Sequence, residues 1–257
     1  MARLIALLYG VVAYVAFLTS TLYAIGFVGN LVVPKTIDSG EPSPLSETLL
    51  VNTLLLGLFA IQHSVMARQG FKRWWTRFVP PSVERSTYVL FSSLVLLVLF
   101  WQWRPIPELV WAVENTSAAT ALNVVFWFGW GMVLISTFLI SHFEFFGLTQ
   151  VFARFFERQL PEPVFKTPFL YRGTRHPLYL SFLLAFWSTP VMSAGHVLFS
   201  MASTAYILVA IQLEERDLIQ LFGDRYRRYR REVPMLLPWP RRKSARLAAG
   251  DSARGQR

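Results

Sequence analysis

A chain of 257 residues that is 54% hydrophobic and 16% aromatic, with a mean hydropathy of +0.41, is too apolar for an ordinary soluble domain and reads as a polytopic membrane protein. Its 25 basic against 15 acidic residues give a formal charge of +10, but the basic residues lie in loops between apolar runs, so they read as topology signals and lipid-headgroup contacts, and no nucleic-acid partner is expected. The absence of cysteine excludes disulfides, thiolate metal sites and a cysteine nucleophile.

The first apolar run, roughly Leu4 to Val33, is too long for a signal-peptide core and predicts a retained transmembrane helix. A Pro/Gly/Ser-containing loop with one lysine follows, and then a second run, roughly Leu45 to Met66, that ends in Gln62-His63-Ser64. The loop from Arg68 to Arg85 is basic and carries Trp74-Trp75, a pair suited to headgroup depth. The third run, Ser86 to Trp103, ends in the aromatic group Phe100-Trp101-Gln102-Trp103. The fourth, Ala121 to Ile140, leads into Ser141-His142-Phe143-Glu144.

A longer polar segment, Leu148 to His176, precedes two shorter apolar runs, Pro177 to Met192 and His196 to Leu213. Only Ser193-Ala194-Gly195 separates them, so they predict an antiparallel hairpin, with Pro190 ending or bending its first arm. That arm is near the lower limit of about 17 residues for a full span, so the count stands at five to six spans. After Glu214 the residues Leu218, Leu221, Phe222, Tyr226, Tyr229 and Val233 recur in steps of three and four, one face of an amphipathic helix that Pro234, Pro238 and Pro240 bring to a stop. Residues 241–257 read as a disordered basic tail.

Lysine and arginine gather after the second run, after the fourth and in the tail, whereas the intervening loops hold one each. Six spans then put both termini in the cytoplasm, in a bacterial-type inner membrane. The fold expected is all-α: five to six transmembrane helices and a C-terminal cytoplasmic amphipathic helix. Residues 1–147 would form the acceptor chamber, 148–240 the cofactor-binding hairpin and interfacial helix, and 241–257 the tail.

The unusual polar groups fall at the cytoplasmic span ends: Gln62 and His63, His142 and Glu144, Arg175 to Tyr179, Glu214 and Glu215. Ionisable groups placed against a bilayer are costly, and a functional site is the default reading. Proline suits a first helical turn, so a helix starting at Pro177 would aim free backbone N–H groups at the cytoplasm, flanked by Arg175 and His176, an arrangement for a carboxylate. Glu214 and Glu215 end the return arm at the same level, suited to an ammonium group or two hydroxyls, beside Tyr171, Tyr179 and Tyr226. An amino acid joined to a ribose and a base would fit.

The ordered pattern Arg175-His176-Pro177-x-Tyr179, an apolar hairpin, then Glu214-Glu215-x-x-Leu218-x-x-x-Phe222-Gly223-x-x-Tyr226-x-x-Tyr229-x-x-x-Val233-Pro234 resembles the C-terminal signature of the isoprenylcysteine carboxyl methyltransferase and phospholipid methyltransferase superfamily. The resemblance implies S-adenosylmethionine as methyl donor and S-adenosylhomocysteine as product, bound by Tyr171, Arg175, His176, Pro177, Leu178, Tyr179, Glu214, Glu215, Tyr226 and Tyr229, with no metal. Within it, Gln62-His63-Ser64-Val65-Met66-Ala67-Arg68, Trp74-Trp75-Thr76-Arg77, the stretch Pro80 to Tyr88, Trp101-Gln102-Trp103 and the stretch Ser141 to Leu148 are similar to the bacterial methanethiol S-methyltransferases, over nearly the whole chain. That implies a small volatile thiol, methanethiol, converted to dimethyl sulfide. NnrU-like membrane proteins share part of the pattern, and the alternatives are a lipid or prenyl-cysteine acceptor, or a non-enzymatic protein of that type. A thiol must ionise to attack a sulfonium, which calls for a base. The candidates are His63 and His142, oriented by Glu144 or Glu84, with His63 preferred because it lies within a span end. Oligomeric state is not legible.

Overall fold

The computed structural model describes residues 1–160, 162 and 164–238. The basic tail expected at 241–257, and Pro240, lie outside the described residues. Among the described residues, five helices are long and apolar enough to cross a membrane: α1 (Ala2–Gly29), α2 (Leu45–Ala67), α4 (Pro81–Gln102), α5 (Thr116–Ile140) and α9 (Ala194–Phe222). Short helices α3 (Gln69–Trp75), α6 (His142–Phe145) and α7 (Leu148–Phe155) fill the loops, with α8 (Pro177–Trp187) before α9 and α10 (Asp224–Glu232) after it. The outward residues of the long helices are apolar and exposed, among them Val12, Leu54 and Phe128, as a lipid-facing surface requires. The chain is an all-α, multi-pass membrane protein.

The hairpin departs from its expected form. Its first arm is helical for only 11 residues, and the helix ends at Trp187, three residues before Pro190. At 1.5 Å per residue that is ~16 Å, about half of a hydrocarbon core of ~30 Å. The chain continues extended into the short strand β2 (Val191–Ser193), which pairs antiparallel with β1 (Leu109–Ala112), a pair of strands that the hydropathy pattern does not announce. The sixth traverse is thus half helix and half extended chain.

Its open backbone is satisfied by neighbours. His196 Nε2 and Ser200 Oγ, both on α9, reach the Phe186 carbonyl at 2.9 and 2.8 Å. Trp111 Nε1 donates to Thr189 O, and Val113 N to Pro190 O. Irregular backbone at membrane depth survives where protein, not lipid, surrounds it.

Close packing fixes α8 against α5. A Cβ at Gly129 would lie 2.8 Å from Ala185 N and 2.9 Å from Ser181 O, so only glycine admits this approach. The main core lies alongside: Phe27, Phe100, Trp103, Trp130 and Phe199, with Trp103 Nε1 donating to Ile37 O.

The amphipathic helix expected after Glu214 is two pieces. α9 runs on to Phe222; Gly223, at φ 56°, turns the chain, and α10 begins at Asp224. A positive φ of this kind is where glycine costs least. The turn folds α10 back beneath the hairpin. At the same end Arg68 pairs with Asp217 at 3.0 Å, and Arg3 pairs with Glu157. At the opposite end Asp38 accepts from Ser193, and the Asn52 side chain bonds both the N–H and the carbonyl of Arg104. The basic loops of the sequence therefore gather at one end of the bundle and the sparsely charged loops at the other.

Candidate active site

The two arms of the hairpin meet where α8 begins. Arg175 Nε donates to Glu215 Oε1 at 2.7 Å, and His176 Nε2 lies 3.1 Å from the same oxygen. Arg230, on α10, reaches Glu215 Oε2 at 3.0 Å. Arg175 and Glu215 are both buried, their side chains only 6% and 3% exposed. Arg175 Nη1 is further occupied by the carbonyls of Arg230 and Val233. The return segment after α10 then crosses the turn: Arg175 N donates to Pro234 O, His176 N to Met235 O, and Thr174 Oγ1 to Met235 O.

This alters the expected electrostatics. Sequence reasoning separated an anion pocket at Arg175 and His176 from a cation pocket at Glu214 and Glu215. The structure joins the two corners, with Glu215 neutralised by Arg175 and Arg230. A buried pair so fully hydrogen-bonded is a structural lock, and its charges are already spent on each other.

Glu214 is the acid that remains. Its side chain is 43% exposed and 3.9 Å from His176 Nδ1, with the Tyr179 phenol close to it. Pro177 occupies the first turn of α8, as expected, so that helix presents its N-terminal end here.

Tyr171 and Tyr229 are tied together, the Tyr229 phenol donating to Tyr171 O at 2.5 Å. Burial pushes the Tyr171 phenol up from its ordinary value, and the charge of Glu214 adds to the shift. Burial likewise raises Tyr226, helped by Glu215 and Glu214, and raises Tyr229 to about 12. All three are neutral donors at pH 7. The Tyr226 hydroxyl is buried and has no hydrogen-bond partner among the described residues. Phe165, from the loop before α8, packs on Phe222, Tyr226 and Tyr229, a role that no sequence signal marked.

His63 stands on α2 near the same end. Its Nε2 is 2.7 Å from the Tyr88 hydroxyl, its Nδ1 is 3.2 Å from Ser92 Oγ, and its ring stacks on Phe59 at 5.1 Å. The next residue, Ser64, bonds Tyr206 of α9 at 3.4 Å. Tyr88 and Tyr179 each feel the charge of Glu214 and the phenol of Tyr206. His63, Ser64, Tyr88, Ser92 and Tyr206 thus form one polar cluster on α2, α4 and α9.

His142 is elsewhere. Tyr14 and Thr137 occupy its two ring nitrogens at 2.8 Å each, and Phe138 stacks on it at 4.3 Å. Burial lowers its pKa, which keeps it neutral. The expected orienting acids do not reach either histidine: Glu144 is exposed, and Glu84 acts on the ammonium of Lys72. Tyr88 and Ser92 hold the His63 ring instead, and a lone Tyr or Ser within an apolar run gives no local sign of it.

Comparison with known proteins agrees with the sequence pattern. A methanethiol S-methyltransferase of Mycobacterium tuberculosis is 56% identical over 242 residues, 94% of this chain and 99% of that protein. The methanethiol S-methyltransferase 2 of Bradyrhizobium diazoefficiens is 60% identical over 237 residues, 92% and 91% of the two chains. The chain belongs to the methanethiol S-methyltransferase family. Nurim of Bos taurus is a more distant relative of this methyltransferase family, 30% identical over 178 residues, 64% of this chain and 65% of its own. No family model matches the chain, and no solved structure does.

Proposed function

We propose that the protein methylates methanethiol to dimethyl sulfide, with S-adenosylmethionine as donor and S-adenosylhomocysteine as the second product. What carries the reading is the meeting of the two hairpin arms, Arg175 and His176 against Glu214 and Glu215, in a chain of this family. The residues fit such a donor. Glu214 offers a half-exposed carboxylate for an ammonium or ribose hydroxyls, and the orphaned Tyr226 hydroxyl is a buried polar group awaiting a partner. The start of α8 at Pro177, Leu178 and Tyr179, with His176 beside it, suits the carboxylate. Tyr171 and Tyr229 offer aromatic faces for a base. Arg175 and Glu215 hold the turn in shape.

The donor, when bound, supplies an electrophilic methyl group on a sulfonium. The protein's share is to align the acceptor sulfur and take its proton. Positioning of this kind is worth up to ~7–11 kcal/mol of a barrier, and a well-placed base ~10²–10⁴-fold. His63 is the base in this reading, because its ring stands with Tyr88 and with Tyr206 of α9, the helix that carries Glu214; His142, held between Tyr14 and Thr137, packs α1 to α5. Methanethiol is small and apolar and enters from the bilayer. In this reading the hairpin end and the site face the cytoplasm across the inner membrane, an orientation supported by the gathering of basic loops at that end.

The test is direct. Purified protein given labelled S-adenosylmethionine and methanethiol should release labelled dimethyl sulfide into the headspace. His63→Ala should lower turnover and leave S-adenosylhomocysteine affinity nearly intact. Absence of dimethyl sulfide with folded protein would defeat the proposal.

A further inference from the structure

We propose that the Tyr88 hydroxyl is the group that meets the acceptor thiol, and that it relays the thiol proton to His63 behind it. This rests on the thiol methylation proposed above and deepens it. Direct contact between a substrate and His63 is blocked, because both ring nitrogens are engaged, Nε2 by Tyr88 at 2.7 Å and Nδ1 by Ser92 at 3.2 Å.

The hydrogen bonds also assign the tautomer. Ser92 Oγ donates its single proton to the Tyr88 carbonyl at 2.9 Å. It therefore has only acceptor capacity left for His63, so Nδ1 carries the hydrogen. Nε2 then carries the lone pair, and the Tyr88 O–H donates into it. A neutral imidazole fixed this way, with the phenol between it and the cluster, is set to receive one proton through one oxygen.

Tyr88 faces that cluster. Arg85 lies 5.0 Å over its ring, and Arg68 just past the end of α2, Tyr206 and Glu214 of α9, and Tyr179 of α8 complete its charged and titratable surroundings. Arg85 and Tyr206 also face His63.

The step balances. The thiol S–H bond breaks as its proton passes to Tyr88 Oη, while the Tyr88 O–H proton passes to His63 Nε2. The freed sulfur pair forms the new S–CH₃ bond as the donor's sulfonium S–CH₃ bond breaks and leaves its electrons on the departing sulfur. His63 ends protonated and later returns the proton through Tyr88.

Tyr88→Phe removes the relay and keeps the ring. Its methanethiol turnover at pH 7 should fall about 10²-fold or more, with S-adenosylhomocysteine affinity unchanged. Its rate should climb with pH as the free thiol ionises in solution, more steeply than the parent enzyme's. Ser92→Ala, which frees Nδ1 from its fixed acceptor, should also slow turnover without loss of affinity. Independently of turnover, ¹⁵N spectra of histidine-labelled, donor-free protein should show His63 protonated at Nδ1 and not at Nε2, the signal being assigned by its loss in His63→Gln. Tyr88→Phe should shift the Nε2 resonance. Wild-type rate and pH profile in Tyr88→Phe, or a ring protonated at Nε2, would overturn the relay. Failure of the parent protein to make dimethyl sulfide would instead defeat the function on which it rests, and the spectra would still decide the hydrogen-bond order.

Discussion

Adjacent on α9, Glu214 and Glu215 meet different surroundings, and their substitutions should behave differently. Glu215 is enclosed by Arg175, His176 and Arg230. Glu215→Ala would leave the buried Arg175 guanidinium without its counter-charge, at a cost of about 3–5 kcal/mol. Thermal unfolding in detergent should show a large fall in midpoint, whether or not a ligand is added; an unchanged midpoint would contradict the lock. Truncating Glu214, half-exposed, should leave that midpoint nearly unmoved. Sequence reasoning put both acids at the right level of the hairpin, because the three-residue connection leaves the arms no freedom but to run back together. It did not separate their roles, since burial of one neighbour and exposure of the other depends on how α10 folds under them. Tyr88 and Ser92 were illegible for a related reason: their use arises only when α4 is rotated against α2, and an apolar run with scattered hydroxyls does not encode that rotation.

Among the elements, the broken sixth traverse is the one the hydropathy pattern half-described. It located the arm, its shortness and its turn. The early stop at Trp187 depends on donor groups supplied by others, His196 and Ser200 of α9 for the Phe186 carbonyl and Val113, just past β1, for the Pro190 carbonyl. The close approach of α5 that supports this arm is testable. Gly129→Leu would drive its side chain into the backbone of α8 at Ser181 and Ala185, and overpacking of this kind costs about 1–3 kcal/mol. Gly131→Leu, two residues on, points into open space and serves as the control. The expected outcome is a lowered unfolding midpoint and weaker S-adenosylhomocysteine binding in Gly129→Leu alone, because α8 also presents Pro177 and Tyr179 to the site. Equal behaviour of the two variants would show that the approach does not matter. α10 was legible as an amphipathic segment but not as a separate helix, since Gly223 breaks direction without breaking the apolar step.

The whole molecule has two unlike ends, and this was the most legible property, because charge in loops is written directly in the chain. Arg68, Arg85, Arg175 and the arginines of α10 gather with the hairpin start; Lys35 and Arg104 stand at the far end, Lys35 on Trp101 O and Arg104 beside Glu47. A chain without cysteine makes orientation simple to measure. In intact cells a membrane-impermeant thiol reagent should label Glu41→Cys, and should label Arg225→Cys only after permeabilisation; the reverse would invert the proposed topology. In the proposed function the arms of the last hairpin, and Glu214 in particular, build one donor site. Calorimetric titration of S-adenosylhomocysteine into the purified protein and into Glu214→Ala tests it most directly. Single-site binding by the parent and at least tenfold weaker binding by the variant, about 1.4 kcal/mol, is the predicted result; equal affinity in the two proteins, or none in the parent, would contradict it.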